Sequence, residues 1–357
     1  MLRVEYLKVK KEDFIVKRVK FFKIVLAVCL FMVLFSIVVL AEQPKYNLKL
    51  STSCTPLEPT TQGYMKFAKI IEQLTNGNIK VTVYHSGQLA DQKTSVLGTM
   101  RGDIDMCDGA PSFFSDLVPY PEIGILEAAY VFKNLDHMYY VLNGPIGKAY
   151  WEELRKRSGL VVLDTWFMGT RQLNLTKKAG VVRKPEDLKG VKLRMPGSEV
   201  WMDVGRGLGA QPTPLGFNEV YMALKTGTID GQDNPLPTDY SSKFYEVTHY
   251  IILTDHQMSI NNPTINEKLW ESMPEDYKVY MKKALLIGRN YCNQLVLEQE
   301  ASLLAKFQNE FGMEIIIPDK AAFMENTKKM YVKNDEIWGK GVYEMIQNAS
   351  AEVYEAE

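Results

Sequence analysis

The sequence has 357 residues, with 42 Lys and Arg against 43 Asp and Glu, 46% hydrophobic and 24% charged residues. Such a length suits one large domain or two ordinary ones, and the composition is globular, neither disordered, collagen-like nor that of a multi-span membrane protein. A net charge of −1 supplies no cationic surplus for a phosphate backbone, which excludes nucleic acid as an expected partner, and four cysteines are too few for a disulfide scaffold.

The first 23 residues are basic, no charge occurs from Ile24 to Leu40, and Val39-Leu40-Ala41 precedes Glu42. A basic, then apolar, then small-residue pattern predicts a secretory signal peptide over residues 1–41, cleaved after Ala41. An uncleaved membrane anchor is the alternative, although the apolar run is shorter than the roughly 20 residues a span prefers. Cys29, inside the run, does not make a lipoprotein box. Without residues 1–41 the chain has 34 basic and 40 acidic residues, a net charge of −6, and keeps Cys54, Cys107 and Cys292, enough for one disulfide at most.

Along the mature chain, Tyr46 to Ser51 alternates and predicts a strand. Tyr64, Phe67, Ala68, Ile71 and Leu74 follow at helical spacing, closed by Asn76-Gly77. Ile79, Val81 and Val83 predict a second strand, a helix starts at Asp91, and Ile104–Cys107 predicts a third strand. Leu160–Leu163 reads as an apolar strand ending at Trp166-Phe167, and the scheme then repeats: strand 192–195, helix 200–208, strand 211–214 and a helix from Asn218 to Lys225. This alternation predicts an α/β fold with a mainly parallel sheet. Met100-Arg101-Gly102-Asp103-Ile104-Asp105 and Lys225-Thr226-Gly227-Thr228-Ile229-Asp230 follow one pattern, consistent with two similarly wound lobes. From Pro274 to Phe311 a long apolar stripe predicts a helix that either spans both lobes or breaks at Gly288.

The sequence contains no G-x-S-x-G elbow, H-E-x-x-H pair or Walker loop, so no enzymatic activity and no cofactor are expected. Gly205, Gly207 and Gly209 end a helical pattern and do not join a strand to a helix, and Asp103, Asp105 and Asp108 lack calcium-loop spacing. The four histidines show no metal-ligand spacing, and only His256 is placed near a cleft. Trp166 stands at a strand end, where it either faces a ligand crevice or packs in the core. Arg171 and Arg194 sit in apolar, strand-like stretches, where a buried guanidinium must meet either a structural carboxylate or an exogenous one.

Leu188-Lys189-Gly190-Val191-Lys192-Leu193-Arg194-Met195-Pro196, Leu208 to Pro214, Glu219 to Leu224, Ile229-Asp230-Gly231-Gln232-Asp233-Asn234-Pro235 and Lys243 to Val247 occur in that order. With Thr75-Asn76-Gly77, Gly87-Gln88-Leu89, Gly102 to Met106 and Gly169-Thr170-Arg171-Gln172 upstream, the mature chain resembles the DctP-type solute-binding proteins of TRAP transporters. The resemblance implies a two-lobed periplasmic-binding-protein fold with an interlobe cleft, a hinge and a spine helix over about 274–311. Lobe I would hold 42–168 plus 260–299, and lobe II 169–259 plus 300–357.

It further implies a small organic acid as ligand, a C4-dicarboxylate by default with sugar acids or other monocarboxylates as the alternative; an exported enzyme or a sensor component using the same cleft is the less favoured reading. Delivery would be to a membrane permease with subunits of the DctQ and DctM type, by a monomer outside the cytoplasm. Arg194 matches the arginine that pairs with the carboxylate and Asn234 an asparagine that helps hold it. Arg171 matches a second arginine used by some members, and Phe217 and Ser198 match wall positions. Asp91 and Trp166 fall near positions that vary with ligand, and His256 joins them at the cleft. Ala110 stands where sialic-acid-binding members carry an acid, so the resemblance does not point to sialic acid.

Overall fold

The computed structural model describes residues 45–350; the leader read over residues 1–41, with Cys29, lies outside them. The first half builds β1 (Tyr46–Ser51), α1 (Pro59–Leu74), β2 (Ile79–Tyr84), α2 (Gln92–Arg101) and β3 (Met106–Gly109). After it come α3 (Pro111–Leu117), a 3-10 segment Pro121–Glu127, α4 (Leu135–Asn143), α5 (Pro145–Ser158), β4 (Leu160–Val162) and β5 (Trp166–Leu175). The second half contains β6 (Lys192–Met195), α6 (Glu199–Leu208), β7 (Gln211–Pro214), α7 (Val220–Thr226), β8 (Gly231–Pro235) and α8 (Leu236–Ser241). The chain then runs through β9 (Tyr250–Asn266), α9 (Glu267–Ser272), α10 (Glu275–Asn309), β10 (Glu314–Ile316), α11 (Lys320–Trp338) and α12 (Val342–Asn348).

The strands pair in the order β2-β1-β3-β9-β5-β8-β6-β7, with β4 and β10 also on β9. The sheet is mixed, which corrects the mainly parallel expectation. Pairs within each wing are parallel (β1–β2, β1–β3, β6–β7, β6–β8), as crossover helices require. At the centre β5 and β9 run antiparallel to each other, β5 also to β8 and β9 also to β3, whereas β10 lies parallel to β9. Strand β9 serves both wings: Asn262 to Ile265 pair with β3, whereas Tyr250 to Asn261 pair with β5. Leu160 to Leu175 is two strands, so Trp166 opens β5 where the sequence pattern had it closing β4.

The repeat seen in the sequence is structural. Gly102 and Gly227 end α2 and α7 in the left-handed conformation, at φ 86° and 72°. Asp105 Oδ2 then accepts the backbone N–H of Lys49 on β1 at 2.7 Å, and Asp230 Oδ2 that of Lys192 on β6 at 3.0 Å. Each aspartate thus ties the entry of one strand to its parallel neighbour.

Helix α10 passes through Gly288 without a break. Its 35 residues span about 50 Å at 1.5 Å per residue. Met281, Leu285, Cys292 and Val296 are buried, and α10 packs along α1 and further on against β5 and α8. Cys54, Cys107 and Cys292 are free thiols.

Candidate functional site

Open α/β sheets leave a crevice beyond the carboxyl ends of their strands. Here Ser53 follows β1, Pro196 and Gly197 follow β6, and Leu215 follows β7. These ends surround a cavity of about 490 Å³ with a recess of about 50 Å³. Ser53, Gln92, Phe113, Arg194, Pro196 and Phe217 line both, so the two form one space walled by both wings of the sheet.

Arg194 is the third residue of β6 and is buried. Its Nε donates to the Leu215 carbonyl at 2.9 Å, and its guanidinium lies 5.9 Å from the centre of the Phe217 ring. Among the described residues it has no ion-pair partner. Burial pushes its pKa down to about 9; Asp233 opposes that shift and Arg171 adds to it. At neutral pH it is therefore a desolvated cation facing the cavity, a state whose cost an incoming carboxylate offsets.

Arg171 is committed elsewhere. Its Nε donates to Asp233 Oδ2 at 2.7 Å, Nη2 donates to the Asp233 carbonyl, and Nη1 donates to Ser259 Oγ at 3.2 Å. The guanidinium also lies 4.5 Å from the centre of the Trp201 ring. His256 Nε2 is 3.0 Å from the same Asp233 oxygen, and its Nδ1 is 2.8 Å from Thr254 Oγ1. Burial works against ionisation of Asp233, but Arg171 and His256 together hold its carboxyl well below the usual range.

The remaining sequence-predicted residues divide. Asn234 lines the recess and donates to Gln232 Oε1, and Phe217 packs edge-on against Phe244. Asp91 stands at the mouth and caps α2 by accepting the Thr94 N–H at 2.7 Å. Three residues do not reach the cavity. Ser198 is buried as the cap of α6, accepting from Trp201 N, while its neighbours Pro196 and Gly197 form the wall. His256 lies behind Asp233. Trp166 is fully buried, stacked on Tyr64 at 4.6 Å, with Nε1 donating to Asp164 Oδ2 at 3.1 Å. Its indole fills the gap between the two close-packed helices α1 and α10, which is why it is core and not crevice.

Sequence reasoning missed Gln92, Phe113, Trp201 and Glu127. Glu127 is a lone acid in the apolar run Ile125 to Ala129, and that was the available signal. It lines the recess, accepts the Ser112 N–H at 2.7 Å, and has its pKa raised by burial. Gln92, at the first turn of α2, carried no signal of its own.

The chain is similar to known solute-binding proteins. The sialic acid-binding periplasmic protein of Vibrio cholerae is 32% identical over 275 residues, covering 77% of this chain and 84% of the relative. The structure of a TRAP periplasmic solute-binding protein of Roseobacter denitrificans with bound 3-deoxy-D-manno-oct-2-ulosonic acid matches with a TM-score of 0.79. It is 30% identical, and the match covers 84% of this chain and 98% of that one. One from Sulfurospirillum deleyianum with bound succinate matches with a TM-score of 0.80 at 28% identity, covering 86% and 100%. The model of bacterial extracellular solute-binding protein family 7 matches residues 50–336, and the chain belongs to that DctP family of TRAP solute-binding proteins.

Proposed function

We propose that this protein captures a hydroxylated monocarboxylate of the sugar-acid class, with its carboxylate on Arg194. One observation carries the reading: Arg194 faces the cavity without an ion-pair partner among the described residues, whereas Arg171, the second arginine, is already neutralised by Asp233. Ser53, Gln92 and Asn234 offer neutral hydrogen-bonding groups suited to hydroxyls, and Asp91 and Glu219 bring negative charge to the mouth. The acids bound by the Vibrio and Roseobacter proteins named above are of this class. A C4-dicarboxylate such as succinate is the second reading, favoured by Lys93, which also lines the cavity. Against it, Lys93 lies 3.4 Å from Asp116.

Cleft closure around the acid excludes water and strengthens the Arg194–carboxylate pair. We read the protein as a monomeric carrier without catalytic activity. It is exported by cleavage after Ala41 and hands its cargo to permease subunits of the DctQ and DctM type. We place lobe I over 42–168 plus 260–299 and lobe II over 169–259 plus 300–357. The change of partners along β9 between Asn261 and Asn262 supports that division. A thermal-shift screen of sugar acids, simple monocarboxylates and C4-dicarboxylates tests the ligand. An acid at 100 times its Kd adds about 2.7 kcal/mol of stability. Stabilisation by succinate but by no monocarboxylate would replace the first reading with the second.

A further inference from the structure

Residues 320–348 contribute nothing to the cavity wall, yet they are tied to both sides of the recess. Helix α11 rests on α6, where Asn326 Nδ2 donates to the Gly207 carbonyl at 2.8 Å and Asn334 Nδ2 to Asp203 Oδ2 at 3.2 Å. Helix α6 carries Trp201, which lines the recess against Arg171 and donates through Nε1 to Ser112 Oγ at 3.0 Å. On the other side, the hydroxyls of Tyr331 and Tyr343 both donate to the Ala129 carbonyl, the latter at 3.1 Å. Gln347 Nε2 donates to the Tyr130 carbonyl at 2.8 Å and to Tyr343 Oη at 2.9 Å. Ala129 and Tyr130 follow Glu127, a lining residue of the recess.

Tyr130 is the centre of this arrangement. Its φ of 56° puts a bulky residue in the left-handed region, a conformation that persists only where the surroundings over-determine it. The C-terminal helices hold it from one side and the irregular part of β9 from the other. Tyr130 N donates to the His256 carbonyl at 2.7 Å, and its hydroxyl to the Thr254 carbonyl at 3.1 Å. His256 in turn meets Asp233, the partner of Arg171. A continuous chain of hydrogen bonds therefore runs from α12 to the recess.

We propose that α11 and α12 form a clamp that positions the recess: they fix the Ala129–Tyr130 turn against α6 and thereby set how readily the cleft opens. Tyr343 and Gln347 are positioning residues in this device, acting through Tyr130. The clamp explains why a left-handed tyrosine is retained at this turn.

Cys54 provides a readout that needs no ligand. It lines the recess with 6% exposure, whereas Cys107 and Cys292 are at 0% and lie in the core. The test compares the full chain with its Tyr343→Phe/Gln347→Ala double variant and with a chain ending at Gly341. Modification of each thiol by methyl methanethiosulfonate is followed by peptide mass spectrometry. The clamp predicts that Cys54 reacts about tenfold faster in the double variant, the size expected for losing the two hydrogen bonds from Tyr343 and Gln347 to the Ala129–Tyr130 turn, with Cys107 and Cys292 unchanged. Unchanged Cys54 rates in the double variant would overturn the proposal, and so would equal acceleration at all three thiols, which reports general loosening. If the shortened chain does not fold, the double variant decides alone. The functional meaning rests on the ligand reading above, but the thiol measurement does not. Faster release of 3-deoxy-D-manno-oct-2-ulosonic acid from the double variant, where the parent binds it, would extend the result to ligand.

Discussion

Arg171 and Asp233 form a buried ion pair, Nε to Oδ2 at 2.7 Å, held on β5 and β8 where Gln172 and Asn234 are paired residues. The carboxylate also serves His256, so Arg171 at the recess wall and the two groups behind it depend on one another. Removing one partner strands a charge in a medium that solvates it poorly. Asp233→Ala is therefore expected to destabilise the protein by about 3–5 kcal/mol, and Arg171→Ala by a similar amount. The double variant should cost less than the sum of the two, and a double-mutant cycle in urea measures the difference. Additive losses would show that the pair is not coupled.

Arg194 presents the opposite case. Because no carboxylate among the described residues forms an ion pair with it, its burial is a cost to the ligand-free state. Arg194→Met, which keeps the length and removes the charge, is expected to raise the melting temperature of the empty protein. The same change should abolish any ligand-induced shift, and Arg194→Lys should mostly abolish it because an ammonium cannot reproduce the two parallel hydrogen bonds of a guanidinium. Such a trade between stability and function is common at binding sites. Retained ligand affinity in Arg194→Met would remove this residue from the site.

Much of this arrangement was legible in the chain. A guanidinium inside Val191-Lys192-Leu193-Arg194-Met195 marked a buried cation, which the structure contains, and the paired Gly-x-Ile-Asp segments marked two equivalent strand entries that it contains as well. Strand β9 was not legible, because Thr254, His256, Gln257, Ser259, Asn261 and Asn262 are all buried polar residues. They erase the apolar alternation by which strands are recognised. Trp166 was ambiguous for a related reason: an aromatic beside a strand end looks the same whether it faces a crevice or a helix pair. Which arginine was free and which was paired depended on Asp233, 62 residues from Arg171. Such a pairing has no local signature.

Stability is expected to depend on pH through Asp108 and Glu58, two of the buried carboxyls that have no ion-pair partner among the described residues. Asp108 accepts from Thr52 Oγ1 at 2.9 Å and Tyr64 Oη at 3.0 Å, and Glu58 accepts from Thr238 Oγ1 at 2.8 Å and Ser241 Oγ at 2.5 Å. Burial raises them to about 7 and about 6, from ordinary values of 3.8 and 4.5. In the window between each pair of values the folded chain holds more protons than the unfolded one. These groups therefore stabilise the fold fully below about pH 4, and that contribution is lost as pH rises through 6 to 7. Against a common background of other titrations, Asp108→Asn should flatten the fall in melting temperature between pH 5 and pH 8 relative to the parent. A variant with the parent's pH profile would show that Asp108 does not titrate in that range.

Gly288 sets two known effects against each other. In the middle of a helix, Gly→Ala ordinarily stabilises by about 1 kcal/mol. Here a Cβ on residue 288 would lie 2.8 Å from the Gly63 carbonyl oxygen on α1, 2.9 Å from the Trp166 ring and 3.1 Å from Phe67 Cβ. On the facing helix, a Cβ on residue 63 would lie 2.6 Å from Trp166 and 2.9 Å from Cys292 Cβ. The two glycines permit the close approach of α1 and α10, and neither the carbonyl nor the sealed indole can move away cheaply. Overpacking of this kind costs about 1–3 kcal/mol, which exceeds the gain in helix propensity. Gly288→Ala and Gly63→Ala are each expected to lower the melting temperature, while Gly227→Ala, where a Cβ meets nothing within 4 Å, should be disfavoured only by its left-handed φ of 72°. A stabilised Gly288→Ala protein would mean that α1 and α10 separate without cost, and that the seal around Trp166 is looser than its geometry implies.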